Sequence, residues 1–284
     1  MSKEMTNSGN VPTGRGRLLV TGAAGALGRV LRQALQSDVG PQKEWQHLRL
    51  SGRSPIGDLQ DFEESVACNL ADREAMEKLL VGVDAVVHLG GQAVESPFED
   101  ICESNIKGVF NLYEAARLAG CSRIVFASSN HVTGCYDQGE QISPDMPARP
   151  DGYYGASKLF AEGLAQMYFD RYGIETVNLR LGSVIPKPED RRGLSTWLSY
   201  PDFIRLTHAS LRAKNVGCLT VYGVSANTQK WWSGLGWDKI GYEPQDNAEA
   251  WRAEIENKVF PAGSMMAKKQ GGSFLGLGPF PKAD

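Results

Sequence analysis

The sequence predicts an α/β protein in which helices cover both faces of a doubly wound parallel sheet, the Rossmann fold. Short apolar strand candidates alternate with helical stretches through the first two-thirds of the chain. Several of these strands are nearly continuous apolar runs, as expected where helices cover both faces of a sheet. A glycine-rich segment also follows the first strand directly. Together these features indicate right-handed crossovers between parallel strands.

The chain divides into three predicted parts. Strand candidates lie at residues 17–21, 46–51, 65–68, 84–89, 123–128 and 175–181. Helical patterns lie at residues 27–36, 72–80, 101–119 and 154–172, and the last stops at Gly173, a residue typical of helix C-termini. We expect a disordered leader over residues 1–16, a dinucleotide-binding domain over 17–182, and a small substrate-binding region over 183–284. That last region should cover the carboxyl ends of the strands, where doubly wound sheets bind ligands.

Composition argues against several classes of partner. The net charge of the 284-residue chain is −3 and its basic residues are scattered, which is unlike a nucleic-acid-binding surface. No apolar run is long enough to span a membrane, and the first residues contain no apolar signal segment, so we expect a cytoplasmic protein. The five cysteines and four histidines have no metal-like spacing, so we expect reduced thiols and no metal site.

The first motif is RLLVTGAAGALG, in which three glycines open a helix directly after a strand. Gly22 permits a tight turn, Gly25 lets backbone N–H groups approach a pyrophosphate, and Gly28 allows close packing of helix on sheet. The helix N-terminus then attracts the phosphates. A glycine-rich connection without a ligand is the alternative, but the order of strand, glycines and helix favours dinucleotide binding.

The position that contacts the adenosine ribose lacks its usual carboxylate. An acidic residue at the end of the second strand is typical of NAD binding, but here the sequence is Leu50-Ser51-Gly52-Arg53. Arg53 could bind the 2′-phosphate of NADP through a bidentate pair, or it could face solvent. Asn69, the next expected adenine contact, is also neutral. The sequence therefore leaves NAD and NADP open.

The second motif is Tyr154-Gly-Ala-Ser-Lys158, whose first and last residues share one helix face. A phenolate near neutral pH needs the tyrosine pKa lowered from ~10 by about three units, or ~4 kcal/mol. A lysine ammonium one turn away has the correct sign to contribute this. Tyr153 has Ser157 at the equivalent spacing and cannot do the same. Tyr-x-x-x-Lys is common by chance, so its weight comes from the glycine motif.

The third motif, residues 126–131, ends a strand at the edge where ligands bind. Ser128 and Ser129 should point to opposite faces, because side chains alternate along a strand. Asn130 and His131 add polar groups just beyond them. Ordinary turn chemistry is the alternative. The position of these residues between the other two motifs favours a site.

With these motifs in order, residues 17–182 resemble the extended short-chain dehydrogenase/reductases, also called the NAD-dependent epimerase/dehydratase family. A closer resemblance, to the uronate dehydrogenase group of that family, extends over most of the chain. It is carried by strings that include HLGGQAVESPFEDICESNIKGVFNLYEAAR, FASSNHVTG, DGYYGASKLFAE, EDRRGLSTWLSYPD and VYGVSANTQKWW.

The resemblance implies oxidation of a hexuronic acid, glucuronate or galacturonate, at C1 to an aldarolactone, with NAD(P)+ as hydride acceptor. It implies a homo-oligomer formed through the helices at 101–119 and 154–172. The implied catalytic residues are Ser129, Tyr154, Lys158 and Asn105. The implied cofactor contacts are Gly22, Ala24, Gly25, Ala26, Leu27, Gly28, Asn69, Leu70, Leu89, Gly90, Gly91, Asn105, Tyr154 and Lys158, with Arg53 added from its position. The implied substrate contacts are Ser129, Asn130, His131, Ser183, Arg192 and Phe274.

In this interpretation the Tyr154 phenolate takes the proton of the anomeric hydroxyl, and Arg192 clamps the C6 carboxylate as a two-bond fork. The sequence departs from the group at Gly52 and Asn69, where a carboxylate is expected, and at Ala93, where a serine is expected. Two alternatives stay open. One is a nucleotide-sugar epimerase or dehydratase of the same family, and the other is a non-catalytic NAD(P)-sensing protein.

Overall fold

A computed structural model describes residues 15–37, 43–278 and 280 of the chain. Most of the predicted leader lies outside these residues. Its last two positions do not belong to a leader, because the first strand begins at Arg15. They extend the strand because their backbone pairs with the neighbouring strand, starting from the Arg15–Trp45 partners.

The predicted doubly wound parallel sheet is confirmed. In the described part of the chain, seven strands form one sheet in the order β3-β2-β1-β4-β5-β6-β9, and every pairing is parallel. A second, two-stranded sheet joins β7 to β8. The strands are β1 (Arg15–Thr21), β2 (Trp45–Gly52), β3 (Glu63–Ala67), β4 (Ala85–His88), β5 (Arg123–Ser129), β6 (Glu175–Leu181), β7 (Ser183–Val184), β8 (Trp197–Leu198) and β9 (Cys218–Gly223). The strand order reverses between β1 and β4, which places a ligand crevice at their carboxyl ends.

Helices cover both faces of the large sheet. The α-helices are α1 (Ala26–Leu35), α2 (Arg73–Leu80), α3 (Phe98–Ile101), α4 (Gly108–Ala119), α5 (Tyr153–Tyr172), α6 (Gly193–Thr196), α7 (Tyr200–Arg212), α8 (Trp237–Ile240), α9 (Arg252–Ile255) and α10 (Met265–Lys268). A π-helical turn spans Cys102–Lys107, and 3₁₀ turns span Asn130–Thr133, Ala248–Trp251 and Gly272–Gly276. Within the described residues, no helix combines the length and apolarity needed to cross a membrane.

The apolar strand runs divide their side chains between two cores. In β1, Leu18 and Val20 point into one buried cluster while Leu19 points into the other. Val125 and Ile124 of β5 alternate in the same way. This division explains why the strands show no polar face in the sequence, since both faces are covered.

The helix predicted over residues 101–119 is interrupted. It begins earlier, at Phe98, and passes through the π-helical turn before α4 starts at Gly108. Gly108 packs against Leu70, whose Cβ would lie 2.9 Å from a side-chain carbon added at Gly108. Such turns are frequent at functional sites, and this one carries Asn105.

The long helix α5 is fixed to the sheet by buried polar contacts. Glu162 accepts a hydrogen bond from Ser128 Oγ at 2.6 Å and pairs with Arg180 of β6 at 2.7 Å. The helix ends at Gly173, whose φ of 71° is the left-handed conformation that the sequence predicted. These contacts set the height of α5 along β5 and β6.

The C-terminal region does more than cover the sheet. It supplies β9, the seventh strand, and α7, which packs beneath β5. The buried amide of Gln270 then fastens the chain end, accepting from Trp232 Nε1 at 2.8 Å and donating to the carbonyl oxygen of Glu140 at 2.8 Å. The predicted division at residue 182 stays a prediction.

Candidate active site

A cavity of about 770 Å³ opens at the carboxyl ends of the strands and brings the predicted site residues together. Every predicted catalytic, cofactor and substrate residue except Asn105 lines it. The lining set is Gly22, Ala24, Gly25, Ala26, Leu27, Gly28, Arg53, Asn69, Leu70, Leu89, Gly90, Gly91, Ser129, Asn130, His131, Tyr154, Lys158, Ser183, Arg192 and Phe274. Gly52 and Ala93, the positions that depart from the group, line it as well.

The glycine turn at one end fits a dinucleotide pyrophosphate. Gly22 has a φ of +69°, and a side chain there would lie 2.7 Å from the Leu89 carbonyl carbon. A Cβ at Gly28 would lie 2.3 Å from the Gly22 carbonyl oxygen. Helix α1 begins at Ala26, directly after Gly25, and no side chain among the described residues caps its N-terminus. Its first N–H groups are therefore directed at the cavity, where they suit an anion.

The ribose end of the cavity has room for a larger side chain. A Cβ at Gly52 would meet nothing closer than the Ala24 Cβ, at 3.4 Å, which is an ordinary contact. Arg53 is exposed at the rim. Asn69 uses its side-chain oxygen to accept from the backbone N–H of Ala71 at 3.2 Å. At this end, Arg53 therefore offers a guanidinium and Asn69 an amide. None of Gly52, Arg53 and Asn69 carries a carboxylate.

Tyr154 and Lys158 lie in the first turns of α5, at the centre of the cavity. The effect of Ser129 lowers the pKa of the Tyr154 hydroxyl, but burial dominates and raises it to about 12. Burial lowers the pKa of Lys158 to about 8, opposed by the nearby Glu162 carboxylate. The prediction that Lys158 lowers the pKa of Tyr154 is therefore wrong for the chain by itself, in which burial raises that pKa. Lys158 Nζ lies 5.5 Å from the Tyr154 ring centroid and donates to the Ala127 carbonyl at 2.8 Å.

The prediction that Ser128 and Ser129 face opposite ways is confirmed. Ser128 Oγ donates to Glu162, beneath α5, whereas Ser129 Oγ accepts from the His131 backbone N–H at 3.2 Å beside the cavity. Both serines line the cavity, but only Ser129 acts on the Tyr154 hydroxyl.

Arg192 lies at the far end of the cavity, where hydrogen-bond acceptors surround its guanidinium group. Its Nε donates to the Gln270 carbonyl, and Nη1 donates to Ser183 Oγ at 3.1 Å and to Thr196 Oγ1 at 3.4 Å. With the Asn130 amide assigned so that its nitrogen donates to the Leu181 carbonyl at 3.0 Å, its oxygen accepts from Nη2 at 2.9 Å. These contacts use four of the five guanidinium N–H groups. A two-bond fork to a carboxylate therefore requires one internal hydrogen bond to break.

His131 and Phe274 line the cavity wall next to Tyr154. Their rings stack with centroids 3.8 Å apart, and each lies 5.8 Å from the Tyr154 ring. His131 Nδ1 lies 2.6 Å from Asp151 Oδ2. Phe274 reaches this position on the 3₁₀ turn at Gly272–Gly276, which the Gln270 contacts hold in place.

Comparison with known proteins agrees with this geometry. The sequence pattern of the NAD dependent epimerase/dehydratase family matches residues 18–200. The chain belongs to that family. Uronate dehydrogenase of Agrobacterium fabrum is 50% identical over 261 residues, 91% of this chain and 96% of that protein.

Two solved structures are also similar. A mutant uronate dehydrogenase from Agrobacterium tumefaciens, complexed with NAD, matches with a TM-score of 0.87 and 48% identity over 94% of this chain and 99% of that one. Glucuronic acid dehydrogenase from Chromohalobacter salexigens has a TM-score of 0.87 and 45% identity over 93% of this chain and 97% of that one.

Asn105, which the resemblance implies as a catalytic and cofactor-contact residue, does not line the cavity but lies behind the residues that do. Its side chain accepts from the Gln92 backbone N–H at 2.8 Å and donates to the Gln92 carbonyl at 3.1 Å and to Ser157 Oγ at 3.0 Å. It is buried because the π-helical turn directs it inward, toward the loop after β4. Contact with cofactor or substrate, as the resemblance implies, stays a prediction.

Glu95 contributes to the site, although the sequence analysis did not predict it. Its carboxylate accepts from the backbone N–H groups of Tyr153 and Tyr154, both at 2.8 Å, and so caps α5. A Cβ at the preceding Gly152 would lie 2.3 Å from Glu95 Oε2, so the glycine makes room for the cap. The 58-residue separation leaves no local pattern to find. A carboxylate is favourable at a helix N-terminus, and here it fixes the backbone of Tyr154.

Lys158→Met tests the cost of burying the lysine charge. Its pKa falls from 10.5 to about 8, so between these pH values the unfolded chain binds more protons and stability rises with pH. Below pH 8 the full cost applies, about 3 kcal/mol for a depression of this size. We expect the variant to be more stable than the wild type at pH 7, by about 1–3 kcal/mol, and its advantage to shrink from pH 8 towards 10.5.

Urea unfolding at pH 7, 8.5 and 10 measures this difference. Met has a similar length to Lys and no charge, so it keeps the packing and removes only the ammonium and its bond to Ala127. A variant that is less stable at pH 7, or a difference that does not change with pH, would contradict the expectation.

Proposed function

We propose that the protein is an NAD-dependent dehydrogenase that oxidises a hexuronic acid at C1 to an aldarolactone. The observation that carries this proposal is one cavity that joins the glycine turn, Tyr154 with Ser129, and the cationic Arg192. The first two suit hydride transfer from an alcohol, and the third suits a substrate carboxylate. The identity to uronate dehydrogenases over nearly the whole chain supports the same activity.

Tyr154 is the base in this proposal. Its phenolate oxygen accepts the proton of the anomeric hydroxyl and becomes the neutral hydroxyl, while Ser129 donates a hydrogen bond to the same substrate oxygen. The raised pKa of Tyr154, about 12, means that positive charge must approach it before it can act. When bound, the cofactor supplies the hydride-accepting carbon and the positive charge of its oxidised ring. Lys158, inside the same pocket, adds a second positive charge when it is protonated.

Arg192 and Ser183 hold the carboxylate. Burial lowers the pKa of Arg192 only to about 10, so the guanidinium stays charged at neutral pH. One Nη2 N–H remains beyond its four internal bonds, and Ser183 offers a hydroxyl beside it. We infer a carboxylate contact of one guanidinium N–H and one hydroxyl, strengthened by the low dielectric of the site.

Two alternatives have less support. A nucleotide-sugar epimerase or dehydratase needs space for a nucleotide beyond the sugar, but Phe274 closes that side by stacking on His131 at 3.8 Å. A non-catalytic NAD(P)-sensing protein has no use for a buried tyrosine whose pKa is acted on by a neighbouring serine. The choice between glucuronate and galacturonate stays open, as does the predicted cytoplasmic location.

Tyr154→Phe should remove nearly all uronate oxidation, because it deletes the base and keeps the ring that packs against Phe274. Tyr153→Phe is the matched control, since Tyr153 is adjacent but 51% exposed, and it should keep near wild-type turnover. NAD+ reduction is followed at 340 nm with glucuronate, galacturonate, glucose and a UDP-sugar. Turnover of Tyr154→Phe above a few per cent of wild type would assign the base elsewhere. Conversion of the UDP-sugar to a new product without net formation of NADH, separated by chromatography, would support the epimerase or dehydratase alternative.

We further propose that the enzyme accepts NADP+ as well as NAD+. Gly52 supplies no carboxylate to repel a 2′-phosphate, and Arg53 stands at the rim of the same end of the cavity. A charge-assisted pair with the phosphate favours NADP+ by about 1.5–3 kcal/mol, or one to two decades in kcat/KM.

The variants Gly52→Asp and Arg53→Ala test the two halves of this idea separately. The contacts around Gly52 leave room for the new side chain, so Gly52→Asp should fold normally and turn the preference towards NAD+. Arg53→Ala should reduce kcat/KM for NADP+ by about tenfold or more and leave that for NAD+ within about twofold. A wild-type preference for NAD+ beyond a hundredfold that neither variant alters would defeat the proposal.

We propose a homodimer as the assembly. Three apolar residues of α5 recur at seven-residue spacing on one exposed face, Tyr153, Phe160 and Met167. Phe110 is exposed on the neighbouring α4, which packs beside α5. Two such helix pairs, one from each copy, would bury these faces in a four-helix bundle with twofold symmetry.

Phe160→Glu should convert the dimer to a monomer, because it buries a charge at the centre of the proposed interface. Val259→Glu is the control, since Val259 is an exposed apolar residue outside these helices. Sedimentation velocity measures the mass of each. A wild-type monomer, or a dimer that Phe160→Glu leaves intact, would overturn the proposed interface.

A further inference from the structure

Asp151 is a buried carboxylate with an unusual environment beside the substrate end of the cavity. Its side chain is only 1% exposed, and its Oδ2 lies 2.6 Å from His131 Nδ1. Its other oxygen, Oδ1, has no hydrogen-bond partner among the described residues. Burial of a carboxylate is costly unless it is paired, so a single contact with His131 must compensate for much of that cost.

Three glycines from separate parts of the chain make the space for this carboxylate. Side-chain carbons added at Gly134 and Gly271 would lie 1.9 and 1.8 Å from Asp151 Oδ2. A carbon added at Gly155, in α5, would lie 3.2 Å from Oδ1. Room for the carboxylate is therefore left at one point by three segments: the residue after the 3₁₀ turn at Asn130–Thr133, helix α5 and the C-terminal segment. The carboxylate occupies a built pocket rather than a chance position.

We propose that Asp151 is a positioning residue that fixes His131 in the Nδ1–H tautomer, so that His131 Nε2 accepts a hydrogen bond from a hydroxyl group of the sugar. This inference rests on the proposed oxidation of a uronic acid. A carboxylate can only accept, so the nitrogen facing it must carry the hydrogen. Nε2, on the other side of the ring, is then an acceptor in the cavity that His131 lines.

The state of His131 agrees with this role. Burial lowers its pKa and outweighs the opposing effect of Asp151, so the ring is neutral at neutral pH. The charged groups that act on it besides Asp151 are Arg192, which lowers its pKa, and Glu95, which raises it. The stacked Phe274 ring, 3.8 Å away, opposes a flip of the imidazole about its Cβ–Cγ bond, which would turn Nδ1 away from Asp151.

The tautomer gives the two ends of the substrate region opposite polarity. At the His131 end, a lone pair attracts a hydroxyl donor and repels a carboxylate, which offers acceptors only. At the other end, Arg192 and Ser183 offer donors. A hexuronate can satisfy both ends in one orientation only. Asp151 thereby contributes to specificity without touching the substrate, in the way that second-sphere carboxylates orient metal-bound histidines.

Histidine labelled with ¹⁵N provides a test that does not depend on turnover. The chain has only four histidines, and a His131→Gln spectrum assigns the signal of interest. Long-range ¹H–¹⁵N spectra distinguish a protonated from an unprotonated ring nitrogen. We expect His131 in the ligand-free wild type to carry its hydrogen on Nδ1 from pH 6 to 8. We expect Asp151→Ala to shift it towards the Nε2–H form.

Asp190→Asn is the matched control, because Asp190 is the other carboxylate that acts on Arg192 but it does not contact His131. It should leave the His131 tautomer unchanged. A wild-type His131 with its hydrogen on Nε2 would overturn the proposal, even if every Asp151 variant failed to fold. An unchanged tautomer in Asp151→Ala would overturn it as well.

Kinetics provide the second arm. Asp151→Asn should lower kcat/KM for uronate at least about tenfold, mainly through KM, because it weakens binding that ground and transition states share. In a His131→Phe background the same change should cost less than about twofold, since Asp151 acts through His131. Equal losses in both backgrounds would contradict the proposal. If the wild type oxidised no uronate, the proposed function would fail while the tautomer result stood on its own.

Discussion

The packing of α5 against β5 is the contact on which the site depends. Lys158 reaches from the helix to the Ala127 carbonyl, and one turn later Glu162 binds Ser128 of the same strand and Arg180 of the next. The helix therefore cannot slide along the sheet without breaking buried polar contacts, which are expensive to lose. Since Tyr154 lies one turn before Lys158, this anchoring sets its distance from Ser129.

Burial at this junction disfavours the charged form of several groups at once. It raises the pKa of Tyr154 to about 12, lowers that of Lys158 to about 8, and lowers that of His88 to about 3. His88 Nε2 also lacks a partner among the described residues, although its Nδ1 contacts Thr21 at 2.8 Å. Such a site is less stable than an apolar core, and perturbed titratable groups of this kind cluster where chemistry occurs. A bound molecule of complementary charge recovers part of the cost.

Local patterns were sufficient to predict the geometry of the half of the cavity that contains the glycine turn and α5. The glycine turn and the Tyr154–Lys158 pair depend on neighbours within seven residues, so spacing alone indicates their geometry. Strands β1 to β6 were also predicted, because several of them are nearly continuous apolar runs. Strand β9, which completes the large sheet, was not predicted. The π-helical turn before α4 was not, since it depends on how Asn105 reaches the loop after β4.

The proposed substrate half of the cavity depends on contacts between distant parts of the chain. The sequence predicted several of its residues but not the hydrogen bonds that join them. Arg192 was predicted as a free fork, yet the carbonyl of Gln270, 78 residues away, takes its Nε. Asp151 and Glu95 were missed because a buried carboxylate that meets a histidine or a helix end through space leaves no periodic signal. These long-range bonds hold Arg192, His131 and Phe274 at fixed separations. In the proposed enzyme, substrate preference therefore depends on how the C-terminal segment docks on the sheet, because that docking fixes Arg192 and Phe274. A change to the docking would alter preference without replacing any of the proposed substrate contacts.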